Sequence, residues 1–205
     1  MIEPIIFTIS SKFPQEGKST LATLMAKAIN EGFNNKIYKN YEAFVFNFAD
    51  SLKYEIAKAY NLDVNRLFND SVYKAEHRDK LISYSNELRK INPKCWIMKL
   101  MEEVNKIKTR KQPIILIPDR RYFNENFDDY KINKLIEIFI HTSLPVLKLR
   151  INNDKIFLNN ILLQYSESQR ELKPDNYIFD YEVSNDKSLD YLSNVGKCII
   201  MEELK

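Results

Sequence analysis

The tetrapeptide Gly17-Lys18-Ser19-Thr20 carries more chemistry than any other four residues of this 205-residue chain. It closes a loop that follows an apolar run, Ile5 to Ile9, and precedes a helical pattern with apolar residues at Leu21, Leu24, Met25 and Ala28. Strand, loop, Gly-Lys-Ser/Thr and helix are the parts of a phosphate-binding P-loop. Backbone N–H groups at the helix start, with the positive end of the helix dipole, attract phosphate oxygens. Lys18 adds a mobile charge for the β- and γ-phosphates, and the Ser19 hydroxyl is a ligand for Mg2+. ATP and Mg2+ are therefore the expected cofactors, held by Ser11, Lys12, Glu16, Gly17, Lys18, Ser19 and Thr20. The usual spacing has a second glycine five residues before Gly17, where this chain has Lys12. Ser11, one position earlier, fits a loop with one extra residue, and Pro14 limits its flexibility. The competing reading is a Ser/Thr-rich helix start with Gly17 near the N-cap.

Two further apolar runs end in polar clusters, as ligand sites of open parallel sheets do at the carboxyl ends of strands. After Ala43–Phe48 come Asp50 and Lys53. Asp50 reads either as a site residue or as the cap of a helix that runs to about Tyr60. After Pro113–Ile117 come Asp119, Arg120, Arg121, Asn124 and Glu125. A carboxylate there can hold a metal's water shell or take a proton from an acceptor oxygen, and paired arginines can clamp phosphate bidentately. A surface ion-pair cluster is the alternative. Arg78 and Arg89 lie about three helical turns apart, so one unbroken helix puts both on one face, where they can grip a phosphate or merely be solvated. Trp96, the only tryptophan, can stack on a base or fill core, and core is the favoured use. Arg150 and Arg170 flank a polar bend and are either lid arginines or ordinary helix residues. His77 and His141 have no partners at catalytic or metal spacing.

Alternating apolar runs and helical patterns predict a parallel sheet with crossover helices. The strands are expected at Ile5–Ile9, Ala43–Phe48, Pro113–Ile117 (the central one), Leu135–His141, Tyr177–Val183 and Cys198–Met201. Helices are expected at Gly17–Glu31, from Asp50 to about Tyr60, Tyr73–Lys90, Pro93–Lys108, Leu144–Leu163 and Ser188–Val195. The fold class is α/β, a P-loop NTPase three-layer sandwich with a central parallel sheet and a helical lid. One P-loop kinase domain spans residues 1–205, with its core at about 1–149 and 176–205 and the lid at about 150–175.

Composition excludes other classes. Hydrophobic residues make up 44 %, enough for a core, and net charge is +3 with scattered basic residues, which argues against a nucleic-acid partner. Two distant cysteines, Cys95 and Cys198, give no disulfide framework or zinc site and are expected to pack as small apolar groups. Neither a basic-then-apolar leader nor a long apolar span is present, so the expectation is a cytoplasmic protein with no membrane partner. A homodimer is compatible with this reading.

The order of motifs resembles the deoxynucleoside monophosphate kinases of bacteriophages and related viruses. After the P-loop comes Phe48-Ala49-Asp50-Ser51-Leu52-Lys53, then Arg78 with Leu81, then Arg89-Lys90-Ile91-Asn92-Pro93-Lys94-Cys95-Trp96. Asp119-Arg120-Arg121-Tyr122-Phe123-Asn124-Glu125, Ser166-Glu167 and Asn185-Asp186-Lys187-Ser188-Leu189 complete the series, which spans roughly residues 5 to 192. The resemblance implies ATP-dependent phosphorylation of a deoxynucleoside monophosphate to the diphosphate, with a nucleotide as substrate and a place in deoxynucleotide metabolism. It implies catalytic roles for Lys18, Asp119, Arg121 and Arg150. Substrate contacts would fall to Asp50, Lys53, Arg78, Arg89, Trp96, Arg120, Glu125 and Arg170, and Asn185 and Asp186 would lie near the adenine ring. The chain departs from that pattern at Lys12, in an arginine-poor lid (Asn152, Asn153, Lys155) and at Ser83-Tyr84-Ser85-Asn86. Animal-type phosphomevalonate kinase shares a P-loop and an Asp-x-Arg-Arg sequence, which the Asp119-Arg120-Arg121 run also fits, but a different acidic and aromatic stretch follows it there, and Asn124-Glu125 here favours the nucleotide kinases. Dephospho-coenzyme A kinase is a more distant candidate, and an inactive P-loop scaffold is the non-enzymatic alternative.

Overall fold

A computed structural model describes residues 2–32, 38–150, 172 and 175–204. They fall in two compact units: residues 1–45, 108–123 and 128–205, and residues 46–107 with 124–127.

The first unit is built on five parallel strands in the order β2-β3-β1-β4-β5: β1 Ile5–Ser10, β2 Tyr41–Val45, β3 Gln112–Ile117, β4 Lys134–His141 and β5 Tyr181–Ser184. The expected α/β architecture, a parallel sheet with crossover helices, is thus realised with β1 at the centre of the sheet. Pro113–Ile117, expected to be central, is an inner strand one place away. Both runs are almost wholly apolar and buried, so hydrophobicity alone cannot rank two inner strands. Helix α1, Lys18–Asn30, packs its Leu21, Met25 and Ile29 into the same core as Phe7, Ile9, Leu116 and Ile138. Each such side chain contributes about 1.5–3 kcal/mol by leaving water.

The end of this unit differs from expectation. The Ser188–Val195 helix and the Cys198–Met201 strand are one helix, Leu189–Glu203, with Ser188 capping it by accepting from the Tyr191 N–H at 3.2 Å. Gly196, between the two expected elements, allows close packing: a Cβ there would lie 3.0 Å from Met25 and 3.2 Å from Leu21 of α1. Cys198 is exposed on this helix, not packed, whereas Cys95 is buried. The strand expected over Tyr177–Val183 begins only at Tyr181. Before it, Tyr177 and Phe179 pack ring against ring at 5.0 Å. Helix α7 is described over Leu144–Arg150; the rest of the expected Leu144–Leu163 helix and most of the 150–175 lid lie outside the described residues.

The second unit is helical: α2 Phe48–Tyr60, α3 Val64–Asn69, α4 Ser71–Glu76, α5 Arg78–Ile91 and α6 Cys95–Val104. Asp50 does not cap α2. The helix starts after the extended Asn47, so Phe46 and Phe48 are not strand residues and Asp50 sits in the first helical turn. The Tyr73–Lys90 pattern divides because His77 leaves the helical region (φ −105°, ψ 12°). Aspartates start the short helices: Asp63 accepts from Arg66 N–H, and Asp70 accepts from Val72 and Tyr73 N–H at 3.0 Å. Helix α6 begins at Cys95, not Pro93, because the Asn92 side chain turns the chain by accepting from Lys94 N–H at 3.0 Å. Ile56, Ala57, Leu67 and Leu81 form this unit's own apolar cluster. Among the described residues, no helix is long and apolar enough to cross a membrane.

Candidate active site

Parallel strands bring their carboxyl ends to one edge of the sheet, and in the first unit four of these ends carry the polar residues. The loop after β1 is the P-loop. Its last residue before α1, Gly17, has φ +104°, a left-handed conformation that L side chains rarely adopt. A Cβ there would also lie 2.2 Å from Asn185 Nδ2. Among the described residues, no side-chain hydrogen bond caps the N-terminus of the 13-residue α1, and no acid sits in its first turn. That end is therefore open to an anion, and the residues present fit a phosphate chain. Lys18 is half-buried and its ammonium donates to Ser11 Oγ at 2.5 Å, while Ser19 and Thr20 are exposed. Lys12 is exposed, with its ammonium 5.4 Å from the centre of the Phe13 ring.

Glu16 is 1 % exposed and pinned at both carboxylate oxygens, by Phe13 N–H at 2.6 Å and by Thr142 N–H at 3.1 Å. Its carbonyl accepts from Asn185 Nδ2 at 2.8 Å and Thr142 Oγ1 at 3.3 Å. Thr142 follows β4 and Asn185 follows β5, so three strand ends meet here. Arg150, at the end of α7, donates to Thr142 Oγ1 at 3.2 Å and to the Asn185 carbonyl at 2.6 Å. Asp186 accepts from Ser143 N–H at 2.7 Å, which holds its carboxyl below the usual carboxylate range.

The end of β3 supplies Asp119, Arg120 and Arg121. Ser10 Oγ donates to the Arg120 carbonyl at 3.1 Å, tying this turn to the end of β1. Arg120 itself is buried: its guanidinium pairs with Glu137 of β4 and lies 5.6 Å from the Tyr177 ring centre, and Tyr177 Oη donates to Glu137 at 2.6 Å. The sequence reading missed Glu137, Tyr177 and Thr142; Ser10 lies within the 10–20 stretch expected to bind ATP and Mg2+, without a role of its own. A lone charge inside Lys134–His141 and a hydroxyl directly after that strand were the signals available.

The second unit holds the other candidates. Lys53 is nearly buried, pairs with Asp50 at 2.9 Å and covers the Phe68 ring at 4.1 Å; Asn47 Nδ2 donates to the other Asp50 oxygen at 2.8 Å. Arg89 pairs with buried Glu125 at 3.1 Å and donates to Ser85 Oγ at 2.7 Å. Asn124 donates to the Pro93 carbonyl at 2.9 Å. Arg78 opens α5, so Arg78 and Arg89 share one unbroken helix. Trp96 is 2 % exposed, part of the buried face of α6. Arg170 lies outside the described residues.

No curated protein matches the chain in sequence. The phosphomevalonate kinase family matches residues 15–134, more than half of the chain and inclusive of Lys18 and Asp119-Arg120-Arg121. Among solved structures, TT1252 from Thermus thermophilus aligns over 99 % of this chain and 100 % of its own, with 16 % identity and a TM-score of 0.59. A gluconokinase from Sinorhizobium meliloti aligns over 99 % of both chains at 14 % identity and a TM-score of 0.46. Dephospho-CoA kinase from Campylobacter jejuni aligns over 96 % of both at 16 % identity and 0.38. The first of these similarities supports the fold. With the P-loop at the end of the central strand, the family match makes the chain a member of the phosphomevalonate kinase family, a P-loop kinase that phosphorylates a small molecule with ATP.

Proposed function

We propose that the enzyme transfers the γ-phosphoryl group of ATP to the phosphate of a small phosphomonoester, with phosphomevalonate or a close chemical relative as acceptor. The observation that carries this reading is the family match, which spans both the P-loop lysine and the Asp119-Arg120-Arg121 run. The open N-terminus of α1 supports nucleotide binding there. In this reading Lys18 meets the charge on the transferring group, and Ser19 holds Mg2+ when the metal is bound, which supplies further charge neutralisation. Asp119 and Arg121 act at the reacting phosphates; Arg78 and Arg89 grip the acceptor phosphate, with Asp50, Lys53, Arg120, Glu125 and Trp96 shaping or supporting its site. Arg150 and Arg170 belong to a lid over about 150–175 that shields the transfer from water.

A deoxynucleoside monophosphate is the second reading for the acceptor. It rests on the ordered series from Phe48-Ala49-Asp50 to Asn185-Asp186, in which Asn124 and Glu125 follow Asp119-Arg120-Arg121. A coupled ADP-release assay with phosphomevalonate and each of the four deoxynucleoside monophosphates separates the two. Turnover is expected with phosphomevalonate. Turnover with a nucleotide alone selects the second reading, and ATP turnover with none of the five overturns both.

A further inference from the structure

We infer that Glu16 is a positioning residue of the P-loop, doing with a buried carboxylate what the missing first glycine does elsewhere by backbone freedom. This rests on the proposed nucleotide site. A loop that wraps phosphate must keep its N–H groups aimed inward, and glycines commonly permit that path. Here the corresponding positions are Ser11 and Lys12, and the bend falls later, with Gln15 at φ +62° followed by Gly17 at φ +104°. A non-glycine residue in that left-handed region, as Gln15 is, is strained unless neighbours hold it.

Glu16 sits between the two and holds them. Its carboxylate takes one N–H from within the loop, Phe13, and one from the end of β4, Thr142. Its carbonyl is gripped by Asn185 from the end of β5, the same amide that leaves no room for a Cβ on Gly17. Both side-chain oxygens face N–H donors, so only a group with two acceptors satisfies them. Glutamine offers one oxygen, and its NH2 would oppose the other N–H, leaving a buried donor unmet. Aspartate is one carbon too short to reach both. An acid inside a loop that receives anions also opposes the phosphate charge, and these bonds give it a structural use there. The negative charge is buried and turned to backbone donors, not toward α1's open end.

The test compares wild type, Glu16→Gln and Glu16→Asp by calorimetric binding of MgADP and by steady-state kinetics. Both variants should weaken MgADP binding and raise the KM for ATP about tenfold or more, with the acceptor KM within about twofold. Equal losses in both KM values, or a lowered Tm with MgADP affinity unchanged, would overturn the inference. Should neither variant fold, residue-resolved hydrogen exchange on wild type decides. Phe13 and Thr142 amides should be strongly protected without nucleotide, and exchange at loop rates at Phe13 overturns the brace. A wild type that binds no nucleotide removes the functional reading and this inference together. Binding by wild type that Glu16→Gln leaves intact removes the inference alone.

Discussion

Arg120 and Glu137 form a buried ion pair between the turn after β3 and the middle of β4, and the Tyr177 hydroxyl completes it from the opposite side of the carboxylate. Removing one partner strands a charge out of water, whereas removing both need cost little. Glu137→Leu alone should destabilise the fold by about 3–5 kcal/mol, and Arg120→Met with Glu137→Leu should recover most of it. Urea unfolding of the single and double variants checks this; additive losses would show that the two residues act independently.

Lys18→Met should lower kcat by about 10²-fold or more, the scale of losing one preorganised electrostatic contact in a transition state. The half-exposed lysine carries little packing, so Tm should move by no more than a few degrees. A variant with near-wild-type turnover would remove Lys18 from the reaction.

Asp119→Asn should abolish most transfer while leaving the melt nearly unchanged, because a carboxylate in a turn beyond a strand end supplies charge rather than core. Single-turnover kinetics beside calorimetry distinguishes this from a structural role: lost stability with normal chemistry in the folded fraction would argue for the latter.

Gly17→Ala meets two obstacles at once, a left-handed backbone and the Asn185 amide 2.2 Å from the new Cβ. The fold should lose more than about 1 kcal/mol. Pairing it with Asn185→Gly should return part of the lost stability by clearing the collision, though not the part due to φ. No gain in the double variant would place the whole effect in the backbone.

Asp186 has its carboxyl held low, first by the Ser143 N–H. A depressed folded-state value favours the ionised form in the native protein. Its contribution is therefore complete above the unfolded value, about 3.9, and fades as pH falls through the lower folded one. The stability gap between wild type and Asp186→Asn should be flat from pH 7 to about 5 and should narrow below about 4. Chemical unfolding at several pH values measures the gap; one that widens in acid would reverse the assigned sign.

Strand and helix types were legible wherever one force dominated, as in the apolar run Ile5–Ile9 and the glycine–lysine turn after it. What the sequence concealed was decided by partners distant in the chain. Glu137 looks misplaced in a strand until Arg120 and Tyr177 arrive beside it, and Gly196 shows its use only when α1 packs against it. His77 gave no sign that it divides a helix. Asp50 was legible as a helix-start residue but not as the first-turn partner of Lys53, since Asn47 and Asp50 are both good cap residues. At the candidate site the sequence named Glu16 and Asn185 as candidates, yet not that the Asn185 amide holds the Glu16 carbonyl.

The strand order has a consequence during synthesis. β1 has no hydrogen-bonding neighbour close by in the chain: Ile5 pairs with Ile114 on one side and Lys134 on the other. An emerging chain grows at about 5–20 residues per second, so the apolar Ile5–Ser10 segment waits on the order of ten seconds before either neighbour exists. During that interval the helices of residues 46–107 are already available to form, since their contacts are local, whereas the nucleotide loop cannot take shape. The loop is thus a late product of folding. A nascent chain arrested before β3 leaves the ribosome should present a sticky, unpaired β-type segment over Ile5–Ser10, the feature that holdase chaperones recognise.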